Sequence, residues 1–375
     1  MGALTVKRGV SYLQDSQAAV AEIRDQILQD NMKLVIFFCA STYDLITMGA
    51  AIKTAFNCPV IGCTTSGEIT PDGFSKQSCT AASIASDKVA AQVHLLPDIN
   101  QFDVSKAERF VEVLHHQMAF SKEFDEHAMF GLVFIDGLSM AEERAVALLN
   151  YHLGGVQMVG GSAGDDLQFE KTFVYADGEF VSNAGVFALV ECQHRFHIFK
   201  TQHFEPSDKK LVITGADTSQ RQVFEINGLP AGEEYANMLG FDPKNLTPQI
   251  FSGYPLMLNV GGSWFVRSIQ QCNSDGSLTF FCAIDEGLVL TLAQSQEMLT
   301  ELRNDLQRVA DQFDTLKLMI GCDCILRRLE VEERGLSDEM GMLMNAYHVL
   351  GFHTYGEQLN ALHINQTFTA VAIGE

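Results

Sequence analysis

The apolar residues of this chain come in short dense runs that repeat. Leu34 to Phe38, Leu132 to Ile135 and Leu316 to Ile320 are three such runs. Each leads through a small polar turn into a segment with helical periodicity, then into a second short apolar run and a glycine-containing stretch. Those stretches are Val60-Ile-Gly-Cys-Thr-Thr-Ser-Gly-Glu68, Met158-Val-Gly-Gly-Ser-Ala-Gly-Asp-Asp166 and Val349-Leu-Gly-Phe-His-Thr-Tyr-Gly-Glu357. Aligned on Gly62, Gly160 and Gly351, an acid falls six positions later each time, at Glu68, Asp166 and Glu357. Leu34 to Gly62 and Leu132 to Gly160 both span 28 residues, and Leu318 to Gly351 spans 33. Equal spacing over that length marks an internal repeat. The unit reads strand, helix, strand, glycine turn, and the chain reads as an α/β protein of two related halves with mixed sheets.

Between the repeats the pattern fills in. Residues 15–30 predict an amphipathic helix capped by Asp15 or Ser16, with Ile23 and Ile27 on one face. Ser41 with Asp44, and Ser139 with Glu142, have the spacing of capping boxes. Residues 78–86 and 90–96 alternate weakly and predict two strands paired with each other. A helix is expected over 105–120. After Asp166 a meander of strands is expected. A boundary is expected near 205–225. The longest predicted helix covers 291–316, with Leu299, Leu302, Leu306, Val309, Phe313 and Leu316 three and four apart. Such a stripe packs on the protein's own sheet or seats a partner helix.

Composition narrows the classes. The 375 residues allow two domains, and 47 % hydrophobic with 19 % charged residues is a globular balance. A net charge of −22 argues against nucleic acid and anionic membrane surfaces. No apolar run approaches the ~18 residues of a membrane span, and the first residues lack a signal-type apolar core. Nine scattered cysteines without a CxxC imply reduced thiols and a cytoplasmic location.

The chemistry concentrates at the glycine stretches. A glycine at a strand end lets the chain bend where a Cβ would clash. The small residues beside it leave backbone N–H groups free, so Gly62, Thr65, Ser66, Glu68, Ser162, Asp166 and Glu357 are the candidate ligand-binding residues. The alternative is a structural corner whose acid binds neighbouring backbone. Gly160-Gly-Ser-Ala-Gly164 matches a nucleophile elbow, but that motif needs a helix after the turn and a meander is expected. A hydrolase using Ser162 or a cysteine thiolate is the enzymatic alternative. No assembled nucleophile, base and orienter is visible, so a binding protein is expected. The adjacent His115 and His116 point in different directions on a helix. His348, His353 and His363 gather around the third glycine stretch among Phe352, Tyr355 and Phe368, an environment of the kind haem iron uses.

The ordered set Ile61 to Glu68, Val159 to Asp166, Val223-Phe-Glu-Ile-Asn-Gly-Leu-Pro-Ala231, Val266-Arg-Ser268 and Gly351 to Glu357 resembles the FIST family of bacterial sensory proteins, over about residues 30–373. The resemblance implies a FIST N-type domain over 31–222 and a FIST C-type domain over 223–375, after the N-terminal helix segment 1–30 read from its periodicity. Gln202 to Pro206, Gly321 to Arg328, Tyr355 to Gln358 and His363 to Thr367 are similar to the haem-binding, nitric-oxide-sensing subgroup. That similarity implies haem b with His363 or His203 as axial ligand to the iron; His353, in the glycine turn itself, is the third candidate. The similarity also implies a signal passed to a separate histidine kinase or cyclic-di-GMP enzyme. A generic member would instead bind an amino acid or similar polar molecule, with Glu68, Asp166 and Glu357 available to an ammonium group. A homo-oligomer is compatible with either.

Overall fold

A computed structural model describes residues 2–120 and 124–375. Three six-stranded mixed sheets are built to one plan. In the first, Met32–Ala40 and Val60–Thr65 run parallel, joined by the helix Leu45–Ala55. Cys79–Ala85 pairs antiparallel with Met32–Ala40, and Thr5–Ser11 pairs outside it. The second repeats this with Met129–Ile135, helix Glu142–His152, Gln157–Ser162, Ala184–Cys192 and Val89–Pro97. The third uses Leu316–Cys324, helices Ile325–Glu333 and Ser337–Ala346, Val349–Thr354, Phe368–Gly374 and Arg195–Thr201. The α/β class with mixed sheets is as expected. The organising number is three repeats.

Each sheet is completed by a hairpin from another repeat. The hairpin Glu68–Ser75 of the first joins Val349–Thr354 of the third. The hairpin Val174–Val181 of the second joins Val60–Thr65 of the first. The hairpin Glu357–Ile364 of the third joins Gln157–Ser162 of the second. This cyclic exchange gives the molecule an approximate threefold axis. The three sheets face one another across a shared core, where Phe38, Phe134 and Phe352 meet with ring centroids 4.5–5.6 Å apart. Their register partners Cys63, Gly161 and Cys322 are small, so each repeat supplies one ring and one space.

The aligned glycines are equivalent, but their role is not a bend. Gly62, Gly160 and Gly351 lie inside strands, where an added Cβ would come 2.4, 1.7 and 2.1 Å from the carbonyl oxygens of Phe37, Val133 and Gly321. Close strand approach excludes a side chain at all three. The chain turns three to five residues later.

Other expectations change. The strands Cys79–Ala85 and Val89–Pro97 do not pair with each other; each joins a different sheet, because the exchange sends consecutive strands to different neighbours. Asp44, not Ser41, caps its helix by accepting from the Ile46 and Thr47 amides. Ser139 is not the cap: its hydroxyl accepts from the Ala141 amide at 3.4 Å, Ala141 holds the cap position, and Glu142 is drawn into an ion pair with Arg221. The expected helix over 291–316 is a strand, Val289–Ser295, and then a helix, Met298–Ala310. Its apolar stripe packs on the third sheet.

Between Arg195–Thr201 and Met298–Ala310 the third repeat carries a lobe, residues 204–295. Its eight strands form one twisted sheet around a separate core that includes Leu211, Val223, Tyr235, Phe251 and Leu290. Among the described residues no helix is long and apolar enough to cross a membrane.

Candidate functional site

Where the repeats interlock, the backbone makes the same two bonds three times. The amides of Thr64, Ser162 and His353 donate to the carbonyls of Phe173, Gly356 and Gly67, each from the hairpin arriving out of another repeat. The amides of Ser66, Gly164 and Tyr355 donate to the carbonyls of His353, Thr64 and Ser162. Three corners share one backbone frame and differ in side chains.

At the first corner Glu68 is fully buried and satisfied. It accepts from Thr65 Oγ1, from the Ser78 amide at 3.2 Å and from Ser78 Oγ at 2.7 Å. Burial pushes its carboxyl up to about 7. At the second corner the equivalent residue is Val174, since Glu68, Glu357 and Val174 face Phe352, Gly161 and Cys63 in register. Asp166, aligned with the two glutamates by sequence, is therefore not their counterpart. It lies half-exposed in a longer loop, 3.0 Å from Arg328 Nη1. The three acids do not meet, and no shared ammonium site forms from them.

The third corner is different. Glu357 accepts from the Thr367 amide at 3.1 Å and from Thr367 Oγ1 at 2.8 Å, both on Oε2. Its Oε1 has no hydrogen-bond partner. The threonine that would complete it, Thr354, corresponds to Thr65 but donates to the Gly356 carbonyl at 2.6 Å. Burial pushes Glu357 well above the usual carboxylate range. Around it, Gln358 Nε2 donates to Ser162 Oγ at 2.9 Å and lies 3.1 Å from His363 Nδ1. His363 Nε2, Gln358 Oε1, Asn365 Nδ2, Gln366 Oε1, Ser268 Oγ and Arg267 Nε are buried without partners. Leaving such groups unpaired costs about 1–3 kcal/mol each. These seven unpartnered atoms lie on one hairpin, its exit and the lobe strand beside it. Sequence reasoning named Glu357, Ser162 and His363 but missed Gln358, Asn365, Gln366, Arg267 and Ser268. The available signal was the polar density of Glu357 to Thr367 between two apolar strands.

Ser162 has no base. Gln358 stands between its hydroxyl and His363, and the strand ends in loop rather than helix. Burial raises the thiol pKa of all nine cysteines, which disfavours a thiolate nucleophile.

The three histidines do not fit haem in this conformation. His203 uses both nitrogens, Nε2 at 2.8 Å from Glu330 and Nδ1 at 3.0 Å from Arg327. His353 is fully buried, with Nδ1 3.4 Å from Asp323 Oδ2 at ion-pair rather than hydrogen-bond geometry, and its ring stands edge-on to Phe74 at 4.7 Å. Burial holds both imidazoles toward the neutral form, but their faces are packed. His363 has the free Nε2, yet a Cβ on Gly356 would lie 2.6 Å from it, so backbone fills the space a porphyrin needs. Among the described residues no group of three or more His, Cys, Asp or Glu is placed to hold a metal ion.

The FIST N domain profile matches residues 33–229 and the FIST C domain profile matches 231–360. An uncharacterized protein of Methanocaldococcus jannaschii is 26 % identical over 282 residues, covering 64 % of this chain and 53 % of its own length. The chain thus spans about half the length of the curated relative it matches. FIST domains are sensory, ligand-binding domains, and with both of them matched in order this chain belongs to the FIST family.

Proposed function

We propose that this protein is a sensor that takes a small zwitterionic ligand, of amino-acid class, at the corner formed by Glu357, Gln358, His363, Asn365, Gln366, Arg267 and Ser268. The observation that carries the reading is the unpartnered set itself. Gln358 Oε1 and Gln366 Oε1 offer acceptors to an ammonium group, and Glu357 Oε1 joins them once the ligand's positive charge displaces the proton that burial favours there. Arg267 Nε and Asn365 Nδ2 offer donors to a carboxylate. His363 Nε2 joins them as a donor when Gln358 donates to Nδ1. Gly62, Thr65, Ser66 and Glu68 serve the frame, and Ser162 supports Gln358. The signal passes to a separate partner, such as a histidine kinase or a cyclic-di-GMP enzyme. Haem and nitric oxide sensing is the reading this geometry disfavours, because His363 would need Gly356 to move away before iron could approach.

The test is thermal shift against an amino-acid panel, with a haemin titration in parallel. A specific ligand at 100 times its Kd adds about 2.7 kcal/mol of stability. That shift should vanish in Asn365→Leu. A sharp stoichiometric Soret band lost only in His363→Ala, with no response to the panel, would replace this reading by the haem one.

A further inference from the structure

Every side chain of the corner except Arg267 is at most 3 % exposed, so a ligand reaches it only if something opens. Helix Glu142–His152 packs against one side of it, at Leu362–Ile364, and the lobe covers the side of His363, Asn365 and Gln366. Val266 bridges Asn365, Arg267 Nη1 reaches the His363 carbonyl at 3.5 Å, the Ser268 amide reaches Asn365 Oδ1 at 3.5 Å, and Gln366 Nε2 donates to the Ser252 carbonyl at 3.0 Å. Two of these bonds sit at the long limit of hydrogen bonding and are weak. The strong bonds of the junction lie elsewhere. Arg221, held within the lobe by the Phe281 carbonyl, reaches Glu142 at 2.7 Å and Glu143 at 2.6 Å across the junction; the Ala283 amide donates to Glu143 at 2.5 Å.

The lobe's covalent attachment is narrow. Its first and last strands leave the third repeat side by side, with Phe204 opposite Ser295 and the Gln296 amide donating to the His203 carbonyl at 2.7 Å. Glu330 fixes this stalk by receiving His203 Nε2 and, at 3.3 Å, Ser295 Oγ. A cleft of about 880 Å³, lined by Lys209, Tyr254 and Gln294 of the lobe and by Glu330 and Arg334 of the repeat, leaves room between the lobe and the repeat helix.

We propose that the 204–295 lobe is a hinged lid over the corner, pivoting at the His203–Phe204 and Ser295–Gln296 stalk and latched by Arg221 on Glu142 and Glu143. The inference rests on the corner being the ligand site, and it names how access is regulated. Swinging toward the cleft breaks the weak bonds over the corner, and the ion-paired latch sets the closed population. His203 is a positioning residue at the hinge.

Hydrogen exchange of the full chain, read by mass spectrometry without ligand, tests the lid. Breaking a buried ion pair is strongly destabilising locally, so Arg221→Gln should speed exchange across 357–367 at least about tenfold. Exchange at 34–38 should stay unchanged. Glu143→Gln should give a smaller rise in the same peptides, and Arg221→Lys should restore part of the protection. Unchanged exchange at 357–367 in a folded Arg221→Gln protein overturns the lid while leaving the ligand reading standing. If Arg221→Gln unfolds, shown by faster exchange at 34–38, Glu143→Gln decides: a rise confined to 357–367 supports the lid and no rise overturns it. A failed amino-acid panel removes the ligand reading without altering the exchange result.

Discussion

The corners built on Glu68 and Glu357 share a frame and diverge in one hydroxyl. Thr65 turns toward its glutamate and completes it; Thr354 turns to the Gly356 carbonyl and leaves Glu357 with a bare oxygen. The first corner is closed by its own side chains. The third is lined by polar atoms that lack partners and lies against an inserted lobe. Repeats carry structure in their shared bonds, and the departure of one copy from the others marks where function has been placed.

The largest effects test the shared frame. Gly62→Ala, Gly160→Ala and Gly351→Ala should each cost about 3 kcal/mol or more, because the new Cβ meets a backbone carbonyl that cannot retreat. Denaturant melts would show it; one tolerated change would break the equivalence of the repeats.

The two glutamates separate by pH. Each has a folded pKa raised above its unfolded value, so the native state holds the extra proton and stability falls as pH rises through that window. For Glu68 the window runs from the ordinary value of 4.5 to about 7. Burial raises Glu357 well above the same ordinary value. Each contributes a slope of about 1.4 kcal/mol per pH unit inside its window. Melts across pH should lose slope between 4.5 and about 7 in Glu68→Gln, and Glu357→Gln should lose a slope above 4.5 that Glu68→Gln leaves in place. Identical profiles for the two variants would erase the distinction drawn here.

Ser162→Ala removes one hydrogen-bond acceptor from Gln358 and should cost about 1 kcal/mol, with weakened ligand response. Smallest of all, Asp166→Ala removes a half-exposed ion pair and should cost under about 1 kcal/mol. A larger loss would restore Asp166 to the rank its sequence position suggested.

The comparison also shows what sequence could carry. The repeat was legible because Gly62, Gly160 and Gly351 obey a steric demand that any sequence with this strand pairing must meet. The counterpart of Glu357 in the second repeat was not, since the loop inserted before Val174 shifts the hairpin by several residues and leaves Asp166 at the matching count. Pairing of Glu68–Ser75 with a strand almost 300 residues away has no local signal. The stretch 291–295 alternates as a strand, but the leucines after it drew it into the helical stripe. Whether Thr354 points at an acid or at a carbonyl is decided by packing alone.

A crystal structure of the full chain at a resolution that shows ordered solvent tests the central claim most directly. The account predicts non-protein density within about 3 Å of Glu357 Oε1, His363 Nε2 and Asn365 Nδ2, and none at Glu68. A third corner whose polar atoms have paired with one another, with no such density, would contradict it.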